Sequence, residues 1–549
     1  MKKLTQLSVL LITLFLIGCG NQSINKNQSL QTYIKLWGFL KYYHPEVAKG
    51  TQDWDSVFIA RLDSVKNIQT KDQLNNYYSQ WIKSLGNIEK CENCADDLPD
   101  SLKVNLDLSW INDSNVFSTE VMNQLNFIKD NRNQGENYYI SQSSEVGNTI
   151  FSNEKKYEFE DQPSEGIRLL ALARYWNIIN YYFPYKYQTD DNWGDVLTEL
   201  IPLFQSAQEA LDYQLAVNQM VSKINDSHGY VIYDNRLLGQ FFGKKYVPFR
   251  YKVFDNKAIV KGFFDKKLSN ENDILFGDVI LGVENQTIAE RSNYISKYFS
   301  FSNNATLFRE MEPFLTTRNK DSIDIKIDRK GEILNKRIAL YPLDSMEFSF
   351  NNEKTVSKFL SDDVGYINME ILSEDQIGSI FKKFKNTKAI VFDLRNYPMN
   401  DYHDSLCFHL SEKEVEFAKF SVPNMKYPGT FKISESVKIG MDNPDYYKGK
   451  KIVLCNESTQ SASEFMTMFF QALPNTITVG SQTAGADGDV SEIPLPGGIT
   501  ALMSGIGVFY PNGEKTQRTG VKIDVYVEPT IEGISEERDE VLEKAINLI

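Results

Sequence analysis

Three serines in one short stretch are the first residues that could do chemistry. Ser458, Ser461 and Ser463 lie in NESTQSASEF, between the apolar run 451–455 and the helix-like segment FMTMFFQAL. Ser, Thr and Asn before a helix satisfy its free backbone N–H groups, so capping is one function for these hydroxyls. A hydroxyl in the same place can also be a nucleophile, provided that a base removes its proton. This stretch alone leaves both interpretations open.

The elements around the serines predict where they lie. Beyond residue 344 the chain alternates apolar runs with helix-like segments: VGYINMEI, a helix over 374–385, AIVFDLRN, KIVLC, the helix after Ser461, and TITVG. Continuous apolar strands separated by helices predict a mostly parallel sheet. Catalytic and ligand-binding residues of such sheets gather where a strand ends and a helix begins. The serines follow KIVLC at such a point.

The N-terminal half contains one internal repeat. Residues 36–58 and 175–197 match without gaps at an offset of 139, which aligns Trp37 with Trp176. Each copy predicts an aromatic helix, a loop broken by proline and a second helix that begins at a tryptophan. Two copies are too few for a solenoid, and the aromatic stripe indicates core packing rather than a ligand platform.

The N-terminus has the parts of a secretory signal, namely a lysine pair, an apolar run over 9–17, and then Gly18 and Cys19. This run is too short to span a bilayer. The order Leu-Ile-Gly-Cys resembles the lipobox of bacterial lipoproteins, which implies lipid modification at Cys19. The polar stretch 21–29 suits a tether. The resemblance predicts a bacterial cell-envelope protein, lipid-anchored in the periplasm or at the outer membrane; an ordinary cleaved signal is the alternative.

Composition and cysteine content limit the function classes. At 549 residues the chain predicts several domains, and its formal charge of −14 argues against a nucleic-acid partner. Cys91 and Cys94 form a CxxC, which could be half a zinc site, a redox pair or a local disulfide. No second CxxC or HxxxH is present, and an exported chain favours the disulfide. Cys407 and Cys455 have apolar neighbours and are predicted to be buried. No metal or cofactor is predicted.

The segment 244–342 consists of short β-rich runs with turn signals between them, which predicts a small β domain. Within it, LFGDVILGVEN (275–285) resembles the signature of PDZ domains, which bind extended peptides by adding a strand to a sheet edge. The resemblance covers most of the segment. It implies that this domain recognises peptide C-terminal tails.

A series of blocks extends to the C-terminus: VGYINMEI, AIVFDLRNYP, NESTQSASEF, VGSQTAG and GVFYPNGEKTQRTGVKIDVYVEPT, followed by RDEVLEKAI. In order and spacing the series resembles the catalytic domain of serine peptidase family 41, the tail-specific or C-terminal processing peptidases and the tricorn core proteases. The resemblance implies an α/β catalytic domain of the ClpP/crotonase type on a mostly parallel sheet. It also implies that Ser461, the middle position of the family's Ser-x-Ser-x-Ser-Glu pattern, is the nucleophile.

The general base differs between branches of that family. Bacterial processing peptidases use a lysine in a Thr-Phe-Gly-Lys block, but the matching block here is TAGA (483–486), and 452–514 contains no Lys or Arg. Tricorn-like members place a Ser-His pair upstream of the PDZ-like segment, where this chain has Ser227-His228. The resemblance therefore makes His228 the base, and a neutral imidazole suits that function near neutral pH.

The base also needs a residue that orients it. In tricorn-like members a serine beside the histidine and a distant glutamate do so, and these map to Ser227 and Gln517. Glutamine can accept a hydrogen bond but supplies no negative charge. Asp226 is the acidic alternative, and the identity of the fourth catalytic member stays open.

The resemblance places the oxyanion hole at the backbone N–H of Ala462 and at the loop after 393–396. Family members usually have Gly-Gly in that loop, whereas Met399 and Asn400 stand there in this chain. Backbone donors do not require glycine, but the neighbouring Pro398 has no N–H. The loop therefore departs from the family at a position that bears on activity.

The sequence predicts an α/β catalytic domain with an inserted PDZ-like β domain and an N-terminal, mainly helical region. The predicted segments are a lipoprotein signal peptide (1–19), a helical or mixed domain (20–160), a helical segment with the second repeat copy and Ser-His (161–243), the PDZ-like domain (244–342) and the catalytic domain (343–549). The predicted function is hydrolysis of peptide bonds in protein or peptide substrates of the cell envelope. The alternatives are an inactive relative that binds peptide C-termini or an apolar ligand, and an envelope scaffold.

Overall fold

The computed structural model describes residues 23–92, 94, 98–233, 237–254, 256–348, 355–399 and 402–549. The predicted signal with Cys19 lies outside these residues. A helical region, a β domain and an α/β region that carries the serines follow one another along the chain. The mixed α/β fold is confirmed.

The two repeat copies in the helical region fold alike. Its helices are α1 (Lys26–Tyr43), α2 (Pro45–Ala48), α3 (Trp54–Lys66), α4 (Lys71–Ser84), α5 (Thr119–Asp130), α6 (Glu165–Tyr182), α7 (Trp193–Ser206) and α8 (Ala210–Ser222), with the short strands β1 (Ser141–Gln142) and β2 (Thr149–Ile150). Helix α1 packs on α3 and α7, and α6 packs on α7 and α3, so an approximate twofold relates the copies. In each copy two indole N–H groups donate to each other's carbonyls, Trp37 with Trp54 and Trp176 with Trp193. The aromatic stripe is buried, as predicted.

The β domain is an antiparallel sheet in the order β4-β5-β6-β8-β9. Its elements follow β3 (Val231–Ile232) and α9 (Leu238–Phe242) and are β4 (Phe249–Phe254), β5 (Lys257–Phe263), α10 (Lys266–Glu271), β6 (Val279–Val283), β7 (Gln286–Thr287), α11 (Ile288–Ser296), α12 (Asn304–Thr316), β8 (Ser322–Arg329) and β9 (Glu332–Ala339). Alternate residues of β8 are buried, because only one face of the sheet packs on the helices. The edge strand β4 lies beside α12.

The α/β region is built on a six-stranded sheet in the order β10-β11-β12-β16-β17-β21. Its strands are β10 (Ser357–Ser361), β11 (Val364–Asn368), β12 (Ala389–Asp393), β16 (Lys450–Cys455), β17 (Thr476–Gly480) and β21 (Val525–Tyr526), and its helices are α13 (Glu374–Phe384), α14 (His403–Leu410), α15 (Ala462–Ala472), α16 (Ile531–Ser535) and α17 (Glu540–Ile546). Every pair except β10 with β11 is parallel. The carboxyl ends of β12 and β16 therefore meet at one edge of the sheet.

Two smaller sheets join this region to the rest of the chain. They contain β13 (Val415–Pro423), β14 (Phe431–Ile433), β15 (Val437–Ile439), β18 (Val490–Leu495), β19 (Ile499–Ser504) and β20 (Gly507–Phe509). Strand β19 pairs with β18 and also with β3, where Ala501 lies opposite Val231. Ile499, Ala501 and Met503 share one hydrophobic core with the repeat helices. The helical and α/β regions are thus packed into one body at β3 and β19.

The cysteines behave as predicted. Cys91 and Cys94 form a disulfide, and Cys407 and Cys455 are free and buried. Over the described ranges, no helix is long and apolar enough to cross a membrane. Nor do those ranges contain a cluster of three or more His, Cys, Asp or Glu side chains that could hold a metal ion.

Candidate active site

Ser461 lies in the turn between β16 and α15, at the carboxyl edge of the parallel sheet. Its backbone has φ 55° and ψ −119°, a conformation that costs a non-glycine residue about 1–3 kcal/mol. The Ser461 N–H donates to the Ala486 carbonyl and the Ser461 carbonyl accepts from Phe465 N–H, both at 2.9 Å. Its side chain forms no cap hydrogen bond with α15. A strained strand-to-helix turn with a free hydroxyl is typical of a nucleophile.

A buried carboxylate, Glu464, holds the neighbouring loop against this turn. It accepts hydrogen bonds from Thr483 Oγ1 at 2.5 Å, Gly485 N–H at 2.8 Å and Ala486 N–H at 3.0 Å. Burial raises the pKa of Glu464, and these donors oppose that rise. The TAGA block is therefore the support of the Ser461 turn, since Ala486 is bound both by Glu464 and by Ser461.

His228 lies just before β3 and is buried. Its ring Nδ1 is 2.9 Å from the Oγ of Ser504, which is the last residue of β19. The Ser504 hydroxyl donates to Asp226 Oδ1 at 3.1 Å, so it can only accept at Nδ1, which must carry the hydrogen. This tautomer leaves Nε2 with its lone pair. Burial lowers the pKa of His228, and the charges of Asp226 and Asp489 oppose this effect.

Asp226 is the acidic end of this chain of hydrogen bonds. It accepts from Ser504 Oγ, from the backbone N–H of Ser504 at 2.7 Å and of His228 at 3.1 Å, and from Gln517 Nε2 at 3.2 Å. Gln517 is buried, and its Oε1 has no hydrogen-bond partner in the described residues. Asp226 is therefore the carboxylate that hydrogen bonds connect to the imidazole, and Gln517 is a donor to it.

Ser227, the sequence candidate for orienting the imidazole, points elsewhere. Its hydroxyl donates to Thr306 Oγ1 at 3.0 Å and accepts from the Ser302 N–H at 2.9 Å. The hydroxyl beside the imidazole is that of Ser504, which sequence reasoning missed. No sequence signal identified Ser504, because it lies 276 residues from His228 and meets it only through the pairing of β3 with β19.

The segments that carry Ser461 and His228 are in contact. The contact is between Gln460 and Ser227, the residues that immediately precede them. Gln460 Nε2 donates to the Ser227 carbonyl at 3.3 Å, and Arg309 of α12 donates to Gln460 Oε1 at 2.5 Å. Within the described part of the chain, no hydrogen bond joins the Ser461 hydroxyl to the His228 ring. The two segments are therefore held in contact at Gln460 and Ser227, one residue before Ser461 and His228.

Of the predicted oxyanion-hole residues, Ala462 directly follows Ser461 in the chain. Ala462 is the first residue of α15, and Ser463 Oγ donates to the Asn396 carbonyl at 2.9 Å, which holds the loop after β12 against this helix. Met399 in that loop is 74% exposed. Asn400 lies outside the described residues.

The other histidines have packing contacts. His44 Nδ1 accepts the Glu46 N–H as the N-cap of α2, and burial lowers the pKa of His44 to about 4. His403 packs among phenylalanine rings, and burial lowers its pKa to about 4 as well. His409 stacks on Phe381.

Known proteins resemble the chain in sequence over one segment and in fold over most of its length. Residues 363–527 match the profile of peptidase family S41. Among curated protein sequences none matches the chain. Among solved structures, mature CPAF in complex with lactacystin is 14% identical, with a TM-score of 0.54 over 70% of this chain and 98% of that one.

Two further structures are similar at lower scores. The photosystem II D1 C-terminal processing protease is 14% identical, with a TM-score of 0.39 over 68% of this chain and 97% of that one. The tricorn protease is 14% identical, with a TM-score of 0.35 over 70% of this chain and 36% of that one. At such identities structural likeness concerns the fold, and only the CPAF score is high enough to bear on it. By its sequence match, the chain carries a domain of peptidase family S41 and is a serine-type peptidase.

Proposed function

We propose that Ser461 is the nucleophile and His228 the general base of this peptidase, with Ser504 and Asp226 orienting the base. The observation that carries the proposal is the chain of hydrogen bonds from His228 Nδ1 through Ser504 to Asp226. It fixes the tautomer whose Nε2 can remove a proton. The earlier candidate Ser227 is replaced by Ser504 in this function, and Gln517 supports Asp226.

In the proposed reaction the Ser461 hydroxyl attacks the carbonyl carbon of a peptide bond while His228 Nε2 takes its proton. The oxyanion that forms is stabilised by backbone N–H groups, with Ala462 as the donor at the start of α15. The imidazolium then gives its proton to the leaving amine, and the bond from carbon to nitrogen breaks. Water repeats the sequence on the acyl-enzyme, with His228 again as base.

Substrate binding completes the pair in this proposal. Ser461 and His228 make no hydrogen bond in the described structure, and catalytic hydrogen bonds commonly shorten only when substrate binds. The required change is an approach of the Ser461 hydroxyl and His228 Nε2 to hydrogen-bond distance. We propose that Met399, which is exposed in the loop after β12, contacts the substrate or supplies the second oxyanion donor.

We also propose that the β domain is PDZ-like and receives peptide tails. Its edge strand β4 and helix α12 flank a groove in which Glu312 Oε1 accepts the Val253 N–H at 2.8 Å, so a main-chain donor of the edge faces the groove. A cavity of about 490 Å³ extends from this groove to Ser458, close to the nucleophile. An envelope location with a lipid on Cys19 is part of the same proposal, and it rests on the sequence.

A fluorophosphonate probe tests the assignment. We expect wild type to be labelled, Ser461→Ala to be unlabelled, and the matched variant Ser458→Ala to be labelled as wild type. His228→Ala should be folded and label at a strongly reduced rate. A known serine hydrolase, labelled in parallel, is the positive control. If it is labelled while wild type and Ser461→Ala are both unlabelled, the protein is an inactive relative that binds peptides, or a scaffold. Peptide-library profiling against Ser461→Ala then defines the cleavage preference.

A further inference from the structure

A cavity of about 250 Å³ lies in the helical region, beside the second repeat copy. Its wall includes Lys35, Lys186 and Asp107 together with the rings of Trp110 and Trp193. None of these residues takes part in the proposed reaction.

The two ammonium groups at this cavity have no acidic partner. Lys186 is buried, and its Nζ donates to the carbonyl and to Oδ1 of Asn180 at 3.2 and 2.8 Å. Lys35 Nζ lies 5.7 Å from the centre of the Trp176 ring. Neither lysine forms an ion pair with any residue that the structure describes. An ammonium group removed from water without a counter-charge is costly, and burial lowers the pKa of both lysines, that of Lys186 to about 8.

No acidic side chain in the described wall of the cavity forms an ion pair with either lysine, and the charge of Asp107 only partly offsets the effect of burial on the pKa of both. Asp190 pairs with Arg518 at 2.7 Å, and Asp191 pairs with Lys223 at 3.0 Å. Asp107, exposed at the edge of the cavity, accepts from the N–H and hydroxyl of Ser109. One carboxylate thus stands at the entrance and two ammonium groups stand further in.

The approximate twofold of the repeat identifies the group that is missing. The offset of 139 residues aligns Lys35 with Arg174 and Gly194 with Asp55. Arg174 of α6 pairs through Nη2 with Asp55 Oδ2 of α3 at 2.6 Å, inside a buried cluster. At the matching place in the second copy there is no side chain, and a Cβ built on Gly194 would lie 3.8 Å from Lys35 Nζ.

A second cation stands at each of the two places, although the two lysines are not aligned by the repeat. In the first copy Lys41 Nζ pairs with Glu154 Oε1 at 2.5 Å. The same offset aligns Lys41 with Asn180, and Asn180 holds the ammonium of Lys186. The place beside Gly194 therefore has two cations, Lys35 and Lys186, lacks a carboxylate matching Asp55, and contains a cavity.

We propose that this cavity binds a free α-amino acid, whose carboxylate lies between Lys35 and Lys186 in the place that Asp55 fills in the first copy. The ammonium group of the ligand faces Asp107 at the entrance. The tryptophan rings provide an apolar wall for the ligand's side chain. The site is independent of Ser461 and of the proposed peptidase mechanism.

Isothermal titration calorimetry with L-leucine on the full chain tests the site. L-leucine should bind saturably, L-leucinamide, which lacks the carboxylate, should not bind, and N-acetyl-L-leucine, which lacks the ammonium, should bind more weakly. The absence of saturable binding of L-leucine up to about 10 mM, the weak end of specific affinity, would overturn the proposal. Equal binding of leucine and leucinamide would overturn it too, because the lysines would then not be reading a carboxylate.

The variant Gly194→Asp locates the site without removing a packed side chain. It supplies the carboxylate that the first copy has, in the first turn of α7, where Asp is favourable. We expect leucine binding to weaken about 10-fold or more, as for the loss of one charged hydrogen bond, with an unchanged or higher Tm. Lys35→Met should weaken binding similarly, whereas Lys66→Met, which removes a lysine outside the cavity, should not. Wild-type affinity in Gly194→Asp would contradict the assignment.

Discussion

Ser504 Oγ lies 2.9 Å from His228 Nδ1, and this contact joins the candidate base to a carboxylate that the imidazole ring does not itself touch. Serine can make the connection because one hydroxyl accepts and donates at once. Asp226 is thus connected to the His228 ring through the neutral hydroxyl of Ser504, which orients the ring.

Removal of that intermediary should affect turnover more than binding. Ser504→Ala leaves Nδ1–H without its acceptor, so the tautomer is no longer fixed, and we expect kcat to fall on the order of 10- to 100-fold with little change in KM. Ser504→Thr keeps the hydroxyl and should recover most activity. Ser491→Ala, in the same small sheet, is the control. Steady-state kinetics that gave the two alanine variants the same kcat would remove Ser504 from the mechanism.

Gln517→Glu should reduce activity, although the family pattern would suggest a gain. The new carboxylate would stand about where Gln517 Nε2 now donates to Asp226, 3.2 Å away. Two carboxylates so close do not both ionise readily, so one pKa rises. We expect kcat/KM to fall below wild type, and to fall further as pH rises and both groups lose their protons. Gln517→Met, of similar size and without charge, separates repulsion from loss of the donor. A pH-independent gain in Gln517→Glu would contradict this account.

The pH dependence of wild-type turnover should reflect a depressed histidine. Burial lowers the pKa of His228, and the base acts only when it is deprotonated. We therefore expect kcat/KM to rise with pH through a pKa below the usual value of about 6.5 and then level off. Measurement of kcat/KM between about pH 4 and 11 tests this, in a window set by ordinary histidine and lysine values. A rise only above about pH 9 would point to lysine as the base.

The backbone conformation at Ser461 should lower the free energy of unfolding, because it is strained for any residue other than glycine. Glycine adopts φ 55° without steric penalty, so Ser461→Gly should be more stable than Ser461→Ala by about 1 kcal/mol, after its larger unfolded-state entropy is counted. Urea denaturation of both inactive variants gives the difference. Equal or lower stability for the glycine variant would mean that the turn stores no strain.

Acid should destabilise the fold through buried histidines. The pKa of His44 is lowered to about 4, so between about pH 6.5 and 4 the unfolded chain binds a proton that the native state does not. Native stability therefore falls as pH drops through this window, by at most about 3 kcal/mol from this residue. His44→Asn retains an N-cap acceptor for α2 but does not titrate. Its stability should depend less steeply on pH than that of wild type, and parallel slopes in urea titrations would refute the assignment.

The features of the fold that could be predicted from the sequence are those that depend on residues close together in the chain. The offset that aligns the repeats also sets where α1, α3, α6 and α7 begin, because the same apolar spacing and the same tryptophans recur in each copy. Ser461 was predictable as a residue between a buried strand and a helix. Tertiary placement was not: neighbouring residues point to different sides, so Ser227 faces α12 while His228 faces β19. The hydrogen bonds that Ser504 makes with Asp226 and with His228 both depend on the pairing of β3 with β19. No local sequence pattern specifies that pairing.

Under the proposed mechanism, the pairing of β3 with β19 makes catalysis depend on more of the chain than the segment that matches the family. The matched segment, 363–527, contains Ser461, Ser504 and Gln517, while His228 and Asp226 come from the helical region. A fragment cut at the borders of the match would keep a serine, its supporting turn and two helpers of the base, yet possess no base. The smallest unit that could hydrolyse a peptide bond by the proposed route therefore spans the β domain and reaches back at least to the end of α8.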